Sequence, residues 1–504
     1  MRQPLSEPGS QEPTTPAERT LRRILFVLST LTALTLAAYA FLIFWIERSI
    51  TQVEAIIAIH CRMLASGEGL YYALNEYPYT VTPYGPLHYL AETALFRLGL
   101  PMLQAGRLVS FVSLLAVIYL SRRLVLLYSG NRWAAWVAAL LVAATANLAQ
   151  WGTVGQSDLM GLLFSLAAFY CYSLHRVERT PRALLAAGAL IALSIFTKQS
   201  FIAAGVAIVV SLWLEDRRTC LRFTLTLGAV GVALALALNM ATGGGYYENA
   251  VLTNLNPFSA VKLGQQMRYL ALAGMGLLAI VGAGLARRPR ELHPLLAYLA
   301  AALGVLLLTG PKIGSDLNYQ IETMTMLGIC AAWTLHRLDF FPLFFRSDKS
   351  WVTLLQLPLL LHVVFNLLVS GNVNASRIMR DQVRRQELEA IRPYLEPERG
   401  RVLAVQMDPL LAFRGRIEVE PLIYRLIVEA GFVDPEPVRR DLAAKAFATV
   451  VLYDDVFDPN PELQTPEVPT LPEPQLQAIR ENYRLVKHLP GALLAGDYVY
   501  EPKP

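Results

Sequence analysis

Four carboxylates (Glu54, Asp158, Asp316, Glu322) and two lysines (Lys198, Lys312) stand close to the ends of long apolar runs, in a chain of 504 residues of which only 16% are charged. Amides (Gln199, Asn249, Asn254, Asn318) and aromatics (Tyr84, Tyr246, Tyr247, Tyr319) lie in the same stretches, with Arg268 nearby. A cation of this set can hold a phosphate and stabilise it as a leaving group, a carboxylate can deprotonate an attacking hydroxyl, and aromatic faces can stack on sugars. That combination suits a glycosyl phosphate.

The elements that must position these groups are membrane helices. Hydrophobic residues make up 54% of the chain, and the mean hydropathy is positive, so a bilayer is its natural solvent. The run from Ile24 to Ile46 carries no charge and is long enough to cross a hydrocarbon core of roughly 30 Å. Further apolar segments fall near 106–121, 133–150, 159–174, 183–197, 200–214, 223–240, 269–286, 294–309, 321–335 and 351–370. About eleven spans are expected. The first run is too long for a cleavable signal and lacks a small-residue cleavage site.

Arginine sets the orientation. With a cytoplasmic N-terminus, the inside loops hold Arg122, Arg123 and Arg132; Arg176, Arg179 and Arg182; Arg217, Arg218 and Arg222; Arg287, Arg288 and Arg290; and Arg337, Arg346 and Lys349. Every one of these loops is basic, as the positive-inside rule requires. The expected organisation is a disordered cytoplasmic tail over 1–20, a membrane domain over 21–370 with a long first outer loop at 47–105, and an extracytoplasmic domain over 371–504. In the first loop, Val53, Ile56, Ile57, Met63 and Leu64 recur at helical spacing and predict a helix along the membrane surface. In the tail, "RVLAVQ" and "ATVVLY" read as short buried strands, and 376–395, 419–431, 434–447 and 474–486 as helices. The expected fold class is therefore an all-α polytopic membrane protein with a small C-terminal α/β domain.

In this topology the unusual polar residues share one face. Glu54 follows the first span, "QSD" (156–158) precedes the fourth, "TKQ" (197–199) joins the fifth and sixth, "GGGYYENAVLTNLNPF" follows the seventh, and "GPKIGSDLNYQIE" precedes the tenth. Ionisable groups are costly in hydrocarbon unless they face a cavity or a partner, so their convergence implies a single site at the outer membrane boundary. Other classes receive less support. The net charge of +5 leaves no nucleic-acid footprint, and no Gly-rich strand-to-helix loop marks a nucleotide pocket. Cys61, Cys171, Cys220 and Cys330 are scattered and form no metal-ligand pattern. No metal or cofactor is implied.

These motifs together resemble the GT-C class of integral-membrane glycosyltransferases, in particular family 39 and its bacterial relatives, which include protein O-mannosyltransferases and the aminoarabinose transferase of lipid A. The resemblance rests on Glu54 in a helical first outer loop, "YGPLHYL" (84–90), "QSD", "TKQ" and "GSDLNYQIE" (314–322). It implies a GT-C-like fold and inverting transfer from a polyprenyl-phosphate-linked sugar to an envelope glycan, lipid or protein acceptor in the bacterial inner membrane; metal dependence varies among such enzymes, and metal-independent transfer is the expectation here. By the same resemblance Glu54 is the catalytic base, Asp158 a second acid and Lys198 a phosphate contact. Gln199, Tyr84, His88, Lys312, Asp316, Asn318, Tyr319 and Glu322 are the expected substrate-binding residues. The first-loop motif of the family is often an Asp-Glu pair, whereas here Val53 precedes Glu54.

Plainer roles compete with each assignment. Glu54 can solvate its helix, Asp158 can cap the helix it opens, and Lys198 can snorkel. Lys312 can pair with Asp316, Asn249 and Asn254 can form turns, and His88 can pack. At the level of the whole protein, the alternatives are a transporter or lipid flippase, in which polar groups belong near the bilayer midplane, and a non-catalytic envelope assembly protein.

Overall fold

The computed structural model describes residues 16–254, 256–287, 293–312, 314–340, 350–453, 455–458, 471–489 and 497–504. Most of the expected N-terminal tail, together with Arg288, Arg290, Arg346 and Lys349 of the basic loops, lies outside these residues. In chain order the helices are α1 (Pro16–Phe44), α2 (Gln52–Ala65), α3 (Leu87–Arg97), α4 (Met102–Ser129), α5 (Arg132–Ala144), α6 (Ala146–Trp151) and α7 (Asp158–Glu178). Then follow α8 (Pro181–Ile195), α9 (Ala203–Glu215), α10 (Arg217–Ala241), α11 (Gly245–Ala250), α12 (Ala260–Arg287), α13 (Pro294–Thr309), α14 (Ile321–Arg337) and α15 (Ser350–Met379). Each apolar run expected to span is helical. Five described stretches, namely Phe26–Phe44, α4, α10, α12 and Leu357–Arg399, are long and apolar enough to cross a membrane, and α5, α8, α9 and α13 are shorter apolar helices.

The bundle packs around α14, whose residues from Ile321 to Leu335 are all buried. One break in it matters for the site. The third apolar run bends at Thr145, where the backbone is extended, and the freed Ala146 N–H donates to Asn366 Oδ1 at 3.1 Å. This bend creates α6 and turns Asn147 toward the loop before α14, its carboxamide donating to Leu317 O at 3.4 Å.

The C-terminal part forms a small α/β unit with helices α16 (Asp381–Leu395), α17 (Met407–Phe413), α18 (Pro421–Glu429), α19 (Glu436–Ala443) and α20 (Glu473–Asn482). Its strands are β1 (Arg401–Ala404), β2 (Phe447–Leu452), β3 (Tyr483–Leu489) and β4 (Asp497–Pro502), in sheet order β1-β2-β4-β3. The β1–β2 pair is parallel and the other two are antiparallel. The helix expected over 474–486 stops at Asn482, and Tyr483 begins a strand. Hydrogen bonding to β4, whose "YVY" core favours an extended pairing, outweighs the local helical pattern.

The helix expected in the first loop forms as α2, and Ala55, Ile57, Ala58, Ile59, Cys61 and Met63 pack with Leu395, Leu410 and Ile417 of the C-terminal unit. The first loop also supplies Tyr79 and Val81 to that unit's core, and Tyr79 pairs with Val419 in a β-bridge. Of the apolar positions at helical spacing, Ile57 and Met63 are buried against protein, while Val53 is exposed.

Candidate active site

At the end of the bundle that carries the α/β unit, the segments of Tyr84, Asp158 and Tyr319 close on Lys198. Its ammonium lies 2.6 Å from Asp158 Oδ1, and both side chains are 2% exposed. The faces of Tyr84 and Tyr319 flank it, with ring centroids 4.7 and 4.9 Å away. Burial works against the charge, and the neighbouring Asp158 carboxylate outweighs it, so the lysine pKa lies above its usual value. Asn318 donates to the same Asp158 oxygen at 3.1 Å. Asp158 Oδ2 is buried and has no hydrogen-bond partner among the described residues. A lysine head has three donors, so an ammonium spending one on Asp158 can still reach an anion.

The loops themselves are stitched together. Gln199 donates to Pro83 O at 3.1 Å and Ala250 O at 3.2 Å; Asn254 grips the same two carbonyls, and Lys312 donates to Asn254 O at 3.2 Å. Gln199 and Lys312 thus hold loops together, the Lys312 ammonium spending one of its three donors there. Lys312 does not pair with Asp316, whose carboxylate instead accepts from Leu317 N–H at 2.7 Å. Close contact between loops requires Gly85, where a Cβ would overlap the Phe196 carbonyl. Asp316 also lines an open cleft of about 370 Å³ with Lys262, Arg268 and Tyr269.

Glu54 occupies a different environment from a free base. It is 1% exposed, and both of its oxygens are taken. Oε1 accepts from Arg107 Nε at 2.9 Å and Gly155 N at 2.8 Å, and Oε2 from Ile50 N at 2.6 Å and Arg107 Nη2 at 3.1 Å. Thr51, not Glu54, caps α2, accepting from Glu54 N. Through Gly155, and through the bond from Gln156 to Thr51 Oγ1 at 2.9 Å, this pair fixes the turn that delivers Asp158. Composition gave one signal for Arg107: a lone charge at the start of an apolar helix needs a partner.

Two expected residues lie elsewhere. His88 is buried 3.2 Å from Glu92 on its own helix. Glu322 points into the bundle, accepting from Ser165 at 2.6 Å and Tyr298 at 2.7 Å. Asp158 does open α7, but Ser157 is the N-cap residue and makes no capping bond with its side chain. Among the described residues no group of three or more His, Cys, Asp or Glu is arranged to hold a metal ion, and all four cysteines are free.

Residues 85–241, which run from Gly85 through the Asp158 and Lys198 loops, match the profile of the dolichyl-phosphate-mannose-protein mannosyltransferase family. Two crystal structures of ArnT from Cupriavidus metallidurans superpose on the chain. The one bound to undecaprenyl phosphate has a TM-score of 0.63 at 15% identity and the apo structure 0.62 at 16%, each alignment covering 94% of this chain and 97% of that one. An Archaeoglobus fulgidus oligosaccharyltransferase, tethered with an acceptor peptide, has a TM-score of 0.50 at 11% identity, covering 94% of this chain and 74% of its own. No curated protein sequence matches. The chain is thus a membrane protein with the GT-C fold of the ArnT structures, built around a segment that matches the dolichyl-phosphate-mannose-protein mannosyltransferase family.

Proposed function

We propose that this protein is a glycosyltransferase that moves a sugar from a polyprenyl-phosphate carrier to an acceptor hydroxyl at the outer face of the bacterial inner membrane. The observation that carries this reading is the Lys198–Asp158 pair: a buried ammonium beside a carboxylate with one uncommitted oxygen, between two tyrosine faces. The similarity of fold to a protein captured with undecaprenyl phosphate supports the carrier class. Positive loops opposite the site support the orientation.

In the proposed reaction the acceptor oxygen attacks the anomeric carbon, and the bond from that carbon to the phosphate oxygen breaks. The bonding pair leaves with the phosphate, whose added charge Lys198 stabilises. The acceptor proton passes to Asp158 Oδ2, with Asn318 holding the other oxygen in place. A single displacement inverts the anomeric centre and forms no intermediate on the protein. Tyr84 and Tyr319 supply stacking faces, while Lys262 and Arg268 make the neighbouring cleft attractive to an anionic carrier. Glu54, saturated by Arg107 and two amides, acts as a positioning residue.

The test is mass spectrometry of envelope glycans and polyprenyl-phosphate sugars in a strain lacking the gene, complemented with wild type or Asp158→Asn. The expected result is loss of one sugar from an envelope product, accumulation of its carrier, and rescue by wild type alone. Unchanged pools in a strain shown to express the protein would favour transport or assembly.

A further inference from the structure

Where α1, α4 and α15 leave the membrane, the first loop and the C-terminal unit border an open cleft of about 350 Å³. Its depth follows from the helix ends around it. α1 stops at Phe44, and Trp45, 61% exposed, stands just before the lining residues Glu47 and Arg48, in the place of an interfacial aromatic anchor. Pro101 and Met102 at the start of α4 form another wall. Arg48 Nη2 donates to Arg377 O, in the last turn of α15, at 3.1 Å. The cleft therefore lies at the level of the lipid headgroups.

Its polar lining is incompletely used. Gln104 is 7% exposed, lines the cleft, and its carboxamide has no hydrogen-bond partner among the described residues. A buried amide is nearly always bonded, and this one can both donate and accept. Arg62 pairs with no carboxylate among the described residues; it donates to Leu411 O at 3.4 Å, which leaves most of its N–H groups unused. Two acids line the same cleft. Glu47 stands 3.6 Å from Arg385, and Asp408 Oδ1 accepts from Ser49 N–H at 2.8 Å. Two cations, Arg48 and Arg62, thus share one space with two acids. A bare anion would meet like charge there, and so would a bare cation, whereas a ligand carrying both signs can match both.

We propose that this cleft binds the headgroup of a zwitterionic membrane phospholipid with a primary ammonium, its phosphate on Arg62 and Gln104 and its ammonium on Glu47 and Asp408. Phe96, Met102 and Leu103 supply the apolar wall for the glycerol end of the acyl chains. The proposal needs only the membrane fold and stands apart from the carrier reading. A primary ammonium can donate three hydrogen bonds to the acids. A quaternary choline can donate none, and phosphatidylglycerol brings no cation.

The experiment is native mass spectrometry of the delipidated full-length protein with added dioleoyl phosphatidylethanolamine, phosphatidylcholine or phosphatidylglycerol, together with thermal unfolding in the same mixtures. Phosphatidylethanolamine is expected to bind one per molecule, roughly tenfold tighter than either other lipid, and to raise Tm. Arg62→Gln, at an exposed position, and Gln104→Leu should each bring its binding down to the level of the other two. Equal binding of the three lipids overturns the site, and tighter binding of phosphatidylglycerol overturns the zwitterionic assignment in favour of an anion. A preference for phosphatidylethanolamine that survives both substitutions overturns the cleft as its location. Glycerophosphoethanolamine, the same headgroup without acyl chains, should not displace the lipid at equal concentration; displacement would make the occupant a soluble phosphoester and overturn the lipid. Should Gln104→Leu not fold, Arg62→Gln and the wild-type lipid series give the decision.

Discussion

Replacing Glu54 by Gln separates the two carboxylates by their surroundings. In the wild type, four N–H groups converge on Glu54, two from Arg107 and two from the backbone at Ile50 and Gly155. An amide can keep one oxygen for Arg107 Nε and Gly155 N. Its NH₂ must then face Ile50 N–H and Arg107 Nη2, donor against donor. The guanidinium, 2% exposed, also loses its counter-charge, although the carbonyls of Ile43, Ile46 and Arg48 continue to hold it. Breaking a buried pair on one side costs about 3–5 kcal/mol, so Glu54→Gln should lower thermal stability markedly while each folded molecule turns over within a few-fold of wild type. Asp158→Asn removes the buried carboxylate oxygen that has no partner among the described residues, and kcat should fall by roughly 10²–10⁴, the range for loss of a general base. Both quantities can be read on one preparation in nanodiscs, by thermal unfolding and by release of polyprenyl phosphate per folded molecule. A Glu54→Gln protein that melts like wild type yet loses a hundredfold or more in kcat would refute this reasoning and return the base role to Glu54.

Three further outcomes are expected. Lys198→Met leaves Asp158 buried without its cation, so both stability and kcat should drop, whereas the double variant Lys198→Met/Asp158→Asn should recover stability and stay inactive; thermal unfolding and turnover together check this. Gly85→Ala forces the Tyr84 loop away from the Phe196 carbonyl, and kcat should fall at least tenfold through misplacement of Tyr84 and Lys198. Glu420, buried against Thr80, has a pKa pushed up to about 7 from 4.5 by desolvation. The folded state then holds a proton that the unfolded chain has lost, so stability falls as pH rises from about 4.5 to about 7, by about 3 kcal/mol in total. Hydrogen exchange in residues 79–81 measured from pH 5 to 8 should show this slope in wild type, and Glu420→Gln should flatten it.

The membrane helices were legible because hydrocarbon imposes a composition on any segment that crosses it. Asp158, Lys198, Asn318, Tyr84 and Tyr319 were legible as a group for a related reason: polar residues at span ends on one face have few places to go. What composition could not supply was direction. Gln199 and Lys312 have the right chemistry for a ligand, and the fold also uses each of them to hold backbone carbonyls. Glu322 lies one turn past Asn318 and so faces Ser165 and Tyr298 inside the bundle. Asn147 sits in an apolar run that reads as continuous helix, and only the bend at Thr145 gives it a role. The strand β3 was misread because Tyr483–Leu489 is held by its pairing with β4, a contact no local pattern reports.

The ionic groups form a chain that links the C-terminal unit to the chemistry. Asp381 on α16 holds Arg48 at 2.9 Å, and Asp408 on α17 accepts from Ser49 N at 2.8 Å. Arg48 O accepts from Arg107 Nη2 at 2.7 Å, Arg107 pairs with Glu54, and Glu54 accepts from Gly155 N, three residues before Asp158. Each link joins a different element, so a shift of α2, α4, α16 or α17 breaks a bond of this chain. Removing an exposed ion pair changes little, but a chain in which Arg107 and Glu54 are 2% and 1% exposed resists deformation along its length. On this argument the α/β unit serves as a clamp on the first loop as well as any partner it binds, and Asp381→Ala should loosen the Asp158 turn from a position on α16. Hydrogen exchange at residues 152–157 measures that loosening, and unchanged protection there would confine the role of Asp381 to its own helix.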